Sequence, residues 1–189
     1  MKKTPLFILT ILSASLFFGC GSSNKDSVEQ ANDSNENKET TGSVIAVSED
    51  EAQYLVESYD IGLAEVDMGN AAAKSSNKSI ADFGSMMVTD HTSANSAIES
   101  LASKKSVTLP STMSETHMKH VNDLKMKTGS DFDKDYINMM IDGHKDAISK
   151  SEKISTDAKD DDIRALAAQM LPTLRVHLEK ANAIKESMK

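Results

Sequence analysis

An all-α fold is predicted, with four long helices packed as a bundle and a short extra helix between the second and third. Three observations predict it. From residue 48 onward, apolar residues recur at spacings of three and four, the period of one helix face. No stretch alternates apolar and polar residues as a half-buried strand does. The composition, with 11 Met, three Pro and no Trp in 189 residues, suits helices better than a β-sandwich.

The first long helix starts at Ser48-Glu49-Asp50-Glu51, a Ser-x-x-Glu capping box with acidic residues in the first turn. Ala52, Leu55, Tyr59, Gly62, Val66, Gly69 and Ala73 then mark one face to about Lys74, and Gly62 and Gly69 predict close approach of a neighbouring helix. Ser75-Ser76-Asn77 is a turn and N-cap signal. Ile80, Phe83, Met87, Ala94, Ile98 and Leu101 carry a second helix over 78–104. Met118, Val121 and Leu124 mark the short helix, ended by Thr128-Gly129-Ser130. Phe132, Tyr136, Met139, Met140, Ala147 and Ile154 define a helix over 131–156. Ile163, Leu166, Met170, Leu174, Leu178 and Ala181 define the last, over 161–187, with Pro172 expected to kink it. A crossover in the longer middle link would make the bundle ferritin-like.

Upstream of the helices lies a different kind of sequence. Met1-Lys2-Lys3, an apolar run from Leu6 to Phe18 and then Gly19-Cys20 form the layout of a secretory signal. The run is too short for an ordinary membrane span. Leu16-Phe17-Phe18-Gly19-Cys20 resembles a bacterial lipoprotein lipobox, which implies a signal peptide over 1–19 and lipidation of Cys20. The other reading is a plain secretory signal with a chance cysteine. Gly21 after the cysteine resembles the outer-membrane pattern of lipoprotein sorting, so the expected location is the bacterial cell envelope, facing periplasm or surface. The expected partner is the membrane, through the lipidated N-terminus. Residues 20–47 are rich in Ser, Asn, Glu, Asp and Lys, and are expected to be a disordered tether, with Val44 to Val47 as a short extended piece. Residues 48–189 form the bundle domain.

The formal net charge of −8 argues against a general nucleic-acid binder, and loss of Lys2 and Lys3 with the signal deepens the negative balance. The single cysteine excludes an intramolecular disulfide and a multi-cysteine metal or cluster site.

The chemistry lies where ionisable residues interrupt apolar faces. Glu65, His91, His144 and His177 each follow an inward apolar residue by three or four positions. The four helix midpoints fall at about residues 62, 91, 143 and 174, so the four side chains should share one level whichever way each helix runs. Two readings fit. One is a first shell for a single transition metal, Zn, Cu, Fe or Mn. The other is a metal-free polar layer in which the imidazoles bond to Glu65, Tyr136 and water and fix the register of the bundle. Asp90, Tyr136 and Asp142 are expected as outer partners of the layer. His117 and His120 lie on the short helix and read as surface or crossover residues. The Met86-Met87 and Met139-Met140 pairs read as core filling. An oxidoreductase would need an open coordination position and a substrate pocket, and the expectation leans away from an enzyme.

Ala64-Glu65-Val66, Met87-Val88-Thr89-Asp90-His91, Phe132-Asp133-Lys134-Asp135-Tyr136, Asp142-Gly143-His144, Leu171-Pro172 and His177-Leu178 together resemble the bacterial family of domain of unknown function 4142. The resemblance covers residues 48–187. It implies an exported, outer-membrane-associated protein with a ferritin-like bundle, and carries no activity with it. Di-iron carboxylate bundles use Glu-x-x-His pairs, and this sequence has none. The expected role is therefore metal sensing, buffering or stress protection rather than ferroxidase chemistry.

Overall fold

A computed structural model describes residues 25–40 and 47–188. The described residues form six helices and no strand: α1 (Ser27–Thr40), α2 (Glu49–Ala72), α3 (Lys78–Lys105), α4 (Glu115–Lys125), α5 (Gly129–Asp157) and α6 (Asp161–Ser187). The five helices predicted from the sequence lie within two residues of the expected bounds. None is long and apolar enough to cross a membrane. Cys20, the signal segment and residues 44–46 lie outside the described residues.

The caps show why the helices begin where they do. The Ser48 N–H donates to Glu51 Oε2 at 2.7 Å, one half of the capping box. Glu51 Oε1 also accepts from the Asp160 N–H at 2.8 Å, so one carboxylate ties the starts of α2 and α6 together. Asn77 Oδ1 accepts from Ser79 N–H at 3.0 Å and opens α3. Asp160 Oδ1 accepts from the N–H groups of Asp162 and Ile163 and opens α6. Pro172 sits inside α6, and the helix continues through it.

α2 and α3 form one hairpin and α5 and α6 a second. The hairpins meet through α2 against α5 and α3 against α6, while α4 lies across α2 and α5. The α2–α3 contact is close because its facing residues are glycines. A Cβ on Gly84 would stand 2.7 Å from the Ala73 nitrogen and 2.8 Å from the Gly69 oxygen. A Cβ on Gly62 would stand 2.0 Å from Asn95 Oδ1.

The core divides in two. One cluster joins Met68, Phe83, Met87, Leu124, Tyr136 and Met140. The other joins Tyr54, Leu55, Val56, Ile98, Ile154 and Ile163. Between these stretches each long helix carries one member of the polar layer: Glu65, His91, His144 or His177. Apolar burial at both ends therefore fixes the height of the polar layer.

The expected disordered tether is corrected over residues 27–40, which form α1. The expectation weighed apolar area alone, and α1 has little. It docks mainly by hydrogen bonds: Asn35 accepts from the Thr108 N–H at 2.7 Å and donates to the Thr108 carbonyl at 3.0 Å. Asp26 accepts from the N–H groups of Val28 and Glu115, so one carboxylate serves the starts of α1 and α4. Ala31, 2% exposed, and the partly buried Val28 are its apolar contacts.

Candidate functional site

Each long helix contributes one residue to a buried layer: Glu65 from α2, His91 from α3, His144 from α5 and His177 from α6. One ring nitrogen of each histidine lies within 4.8 Å of those of the other two. His144 Nε2 and His177 Nδ1 are 3.1 Å apart. The His91 ring centroid is 5.6 Å from that of His144 and 5.2 Å from that of His177.

What lies behind each ring decides what faces inward. His144 Nδ1 is 2.8 Å from the Met140 carbonyl, which can only accept, so this nitrogen carries the hydrogen. His177 Nε2 is 2.9 Å from Asp90 Oδ2, and by the same argument it donates. Both rings then present lone pairs, at His144 Nε2 and His177 Nδ1, to each other. His91 Nδ1 is 3.0 Å from Glu65 Oε2, and its Nε2 is buried with no hydrogen-bond partner. If the Glu65 carboxylate accepts from Nδ1–H, Nε2 is a third free lone pair. If a Glu65 carboxylic acid donates instead, Nε2 is a buried N–H without an acceptor. Either arrangement leaves a buried polar group unmet, which costs about 1–3 kcal/mol. Three imidazoles whose far nitrogens are held by a carboxylate or carbonyl form the pattern seen behind metal-binding histidines, so the three can hold a metal ion.

Glu65 is not among the converging atoms. Its Oε2 faces His91 Nδ1, and its Oε1 is 3.5 Å from His144 Nδ1. It therefore backs two of the rings, where the sequence expectation had it as a fourth ligand. The coordinating atoms His91, His144 and His177 offer are all imidazole nitrogens.

Burial sets the protonation of the layer. It pushes Glu65 up to about 8. It pushes His91 down to about 3, with the neighbouring His144 and His177 adding to the effect. It pushes His144 down to about 4, with His177 adding to the effect and the Met140 carbonyl opposing it. The layer thus resists positive charge on protons, because several ionisable groups share one dry volume.

The other predicted residues separate. Asp90 is an outer partner, bonded to His177. Tyr136 is fully buried, stacked on Phe132 and edge-on to Phe83, and its hydroxyl has no hydrogen-bond partner. Its pKa is raised by burial first and by the charge of Glu65 second. Asp142 points away from the layer, with its side chain 79% exposed and paired to Lys145 at 3.5 Å. His117 Nδ1 lies 2.7 Å from Asp60 Oδ2, which ties α4 to α2. Met87 and Met140 fill the core. Sequence reasoning missed the Met140 carbonyl and Phe83, whose ring is edge-on to His177 at 6.4 Å. Only the four-residue step from Met140 to His144 hints at the first.

Two openings flank the layer. A cleft of about 730 Å³ between α2 and α5 reaches Glu65 and is rimmed by Glu57, Asp60, Asp135, Asp142 and Asp146. A groove of about 180 Å³ between α3 and α6 is bordered by Asp90, His91 and His177.

The crystal structure of a DUF305 fragment from Deinococcus radiodurans superposes with a TM-score of 0.66 at 13% identity, over 75% of this chain and 98% of that one. At that identity the likeness shows a shared fold. No curated protein matches the chain. The model of the domain of unknown function DUF4142 matches residues 36–184, which spans α2 to α5 and nearly all of α6. The chain belongs to the DUF4142 family, as the motifs around its Glu65, His91, His144 and His177 implied.

Proposed function

We propose that this protein binds one transition-metal ion through His91, His144 and His177, in a ferritin-like four-helix bundle held to the bacterial cell envelope by a lipid on Cys20, and that it buffers that ion there. The observation that carries the metal reading is the direction of the ring nitrogens. With the far nitrogens of His144 and His177 held by acceptors, two lone pairs meet at 3.1 Å and repel. A proton between them would make an imidazolium, which the lowered pKa of His144 opposes. A divalent cation takes the lone pairs, and its charge favours ionisation of Glu65, whose proton burial alone holds up to about pH 8. An all-imidazole set favours Zn, Cu or Fe over Mn, which prefers oxygen ligands.

The test is metal content of the mature protein, purified without a His tag and dialysed against each ion. One ion per chain is expected, lost in His144→Ala. Absence of stoichiometric binding for every ion and redox state sinks this reading. Labelling with a clickable fatty acid, lost in Cys20→Ser, tests the anchor.

A second reading, a metal-free polar network, is favoured by one observation: 3.1 Å is also hydrogen-bond distance. It predicts that chelator leaves the thermal midpoint unchanged, whereas the metal reading predicts a fall.

A further inference from the structure

Three imidazole donors do not complete a tetrahedral centre. Structural metal sites are closed by four protein ligands, while sites with three keep a position for water or another small ligand. Two carboxylates touch the set, but both lie at the backs of the rings: Glu65 is 3.0 Å from His91 Nδ1 and 3.5 Å from His144 Nδ1, and Asp90 is 2.9 Å from His177 Nε2. On the α2–α5 side the cleft meets Glu65 and none of the three clustered histidines.

The α3–α6 side differs. Its groove is bordered by two of the three histidines themselves, His91 and His177. A smaller cavity of about 30 Å³ shares His91, Met170 and Leu174 with the groove, and Glu57, Ile61, Glu65 and Lys150 with the cleft. That is enough for at least one water-sized molecule. Both spaces border His91, whose Nε2 is the buried nitrogen with no partner. The rest of the groove wall is small or neutral, with Ser93, Ala94, Ala97, Gln169 and Thr173 beside Asp90.

We propose that the three-histidine centre keeps one coordination position open toward the groove between α3 and α6, and takes there a small monodentate ligand, water or a small anion. This rests on the metal reading above. A divalent ion beside the Glu65 and Asp90 carboxylates leaves no excess charge to hold a bulky polyanion.

Full-length mature protein loaded with Co(II) is titrated with sodium azide, and the visible spectrum is followed. The expected result is a saturable change of the cobalt bands at one azide per metal. Thr173→Phe, an exposed groove position one turn before His177, is expected to weaken azide binding about tenfold or more while cobalt loading stays at one per chain. Ala94→Leu repeats the obstruction from α3. Asp146→Leu, on the α2–α5 cleft, is expected to leave azide binding unchanged. Protein that takes up no metal overturns the metal reading and this one with it. Protein that loads cobalt but ignores azide, or binds azide equally well with the groove filled, overturns this proposal alone.

Discussion

His144 Nε2 and His177 Nδ1 face each other at 3.1 Å, each with its opposite nitrogen already donating. The pair is an unresolved electrostatic contact in the apo protein, and the surroundings hold it in place.

Asp90 orients His177 from a half-exposed position, so its removal should separate orientation from folding. Asp90→Ala is expected to lower metal affinity about 10–100-fold, the usual range for loss of an outer partner. The thermal midpoint of the chelated protein should barely move. Competition with a chromophoric chelator measures the first, and circular dichroism the second.

Glu65→Ala removes the acceptor behind His91 and leaves a buried group unpaired. The expected cost to the apo protein is about 1–3 kcal/mol in urea unfolding. Glu65→Gln keeps an acceptor oxygen without the charge, and should restore much of that stability while still weakening metal binding.

Chelated protein should be most stable near pH 6.5. His91 and His144 have folded pKa values of about 3 and about 4 against an ordinary 6.5, so the unfolded chain binds more protons as pH falls below 6.5 and stability drops. Glu65 is raised from 4.5 to about 8, so its contribution is full below 4.5 and is lost as pH rises to 8. Between 4.5 and 6.5 two histidines outweigh one glutamate; above 6.5 only the glutamate remains. A thermal midpoint that climbs steadily from pH 6.5 to 8 contradicts this assignment.

Gly84→Ala places a methyl 2.7 Å from the Ala73 nitrogen and 2.8 Å from the Gly69 oxygen, backbone atoms that cannot swing aside. Separation of α2 from α3 is expected, at about 1–3 kcal/mol in denaturant titration.

Asn35→Ala removes both hydrogen bonds from α1 to the Thr108 backbone and leaves those of Ser34 and Lys38 to its hydroxyl. Amide exchange over residues 27–40 should accelerate, while α5 and α6 stay protected.

Much of this was legible in the sequence because it rests on local rules. The three- and four-residue apolar steps, Ser48 with Glu51, and Asn77 place α2 and α3 to within two residues. Counting from helix midpoints brought Glu65, His91, His144 and His177 to one level, because the helices are nearly equal in length. Ring direction was not legible. Whether Glu65 stands among the nitrogens or behind them depends on the angle between helices, which spacing along one helix does not carry. Asp142 was misjudged for a different reason, one readable from spacing: two residues before His144 is about 200° away around the helix axis. α1 was missed because its seat, Asn35 on Thr108, joins two polar residues far apart in sequence.

The three histidines are divided between the hairpins, His91 on the α2–α3 hairpin and His144 and His177 on the α5–α6 hairpin. Neither hairpin alone assembles the set. A chain with one hairpin folded offers at most two of the three imidazoles, so an ion held by all three would report that both halves have docked in register. On the metal reading, ion uptake would act as a clasp closed at the end of folding, and a misassembled chain would stay empty.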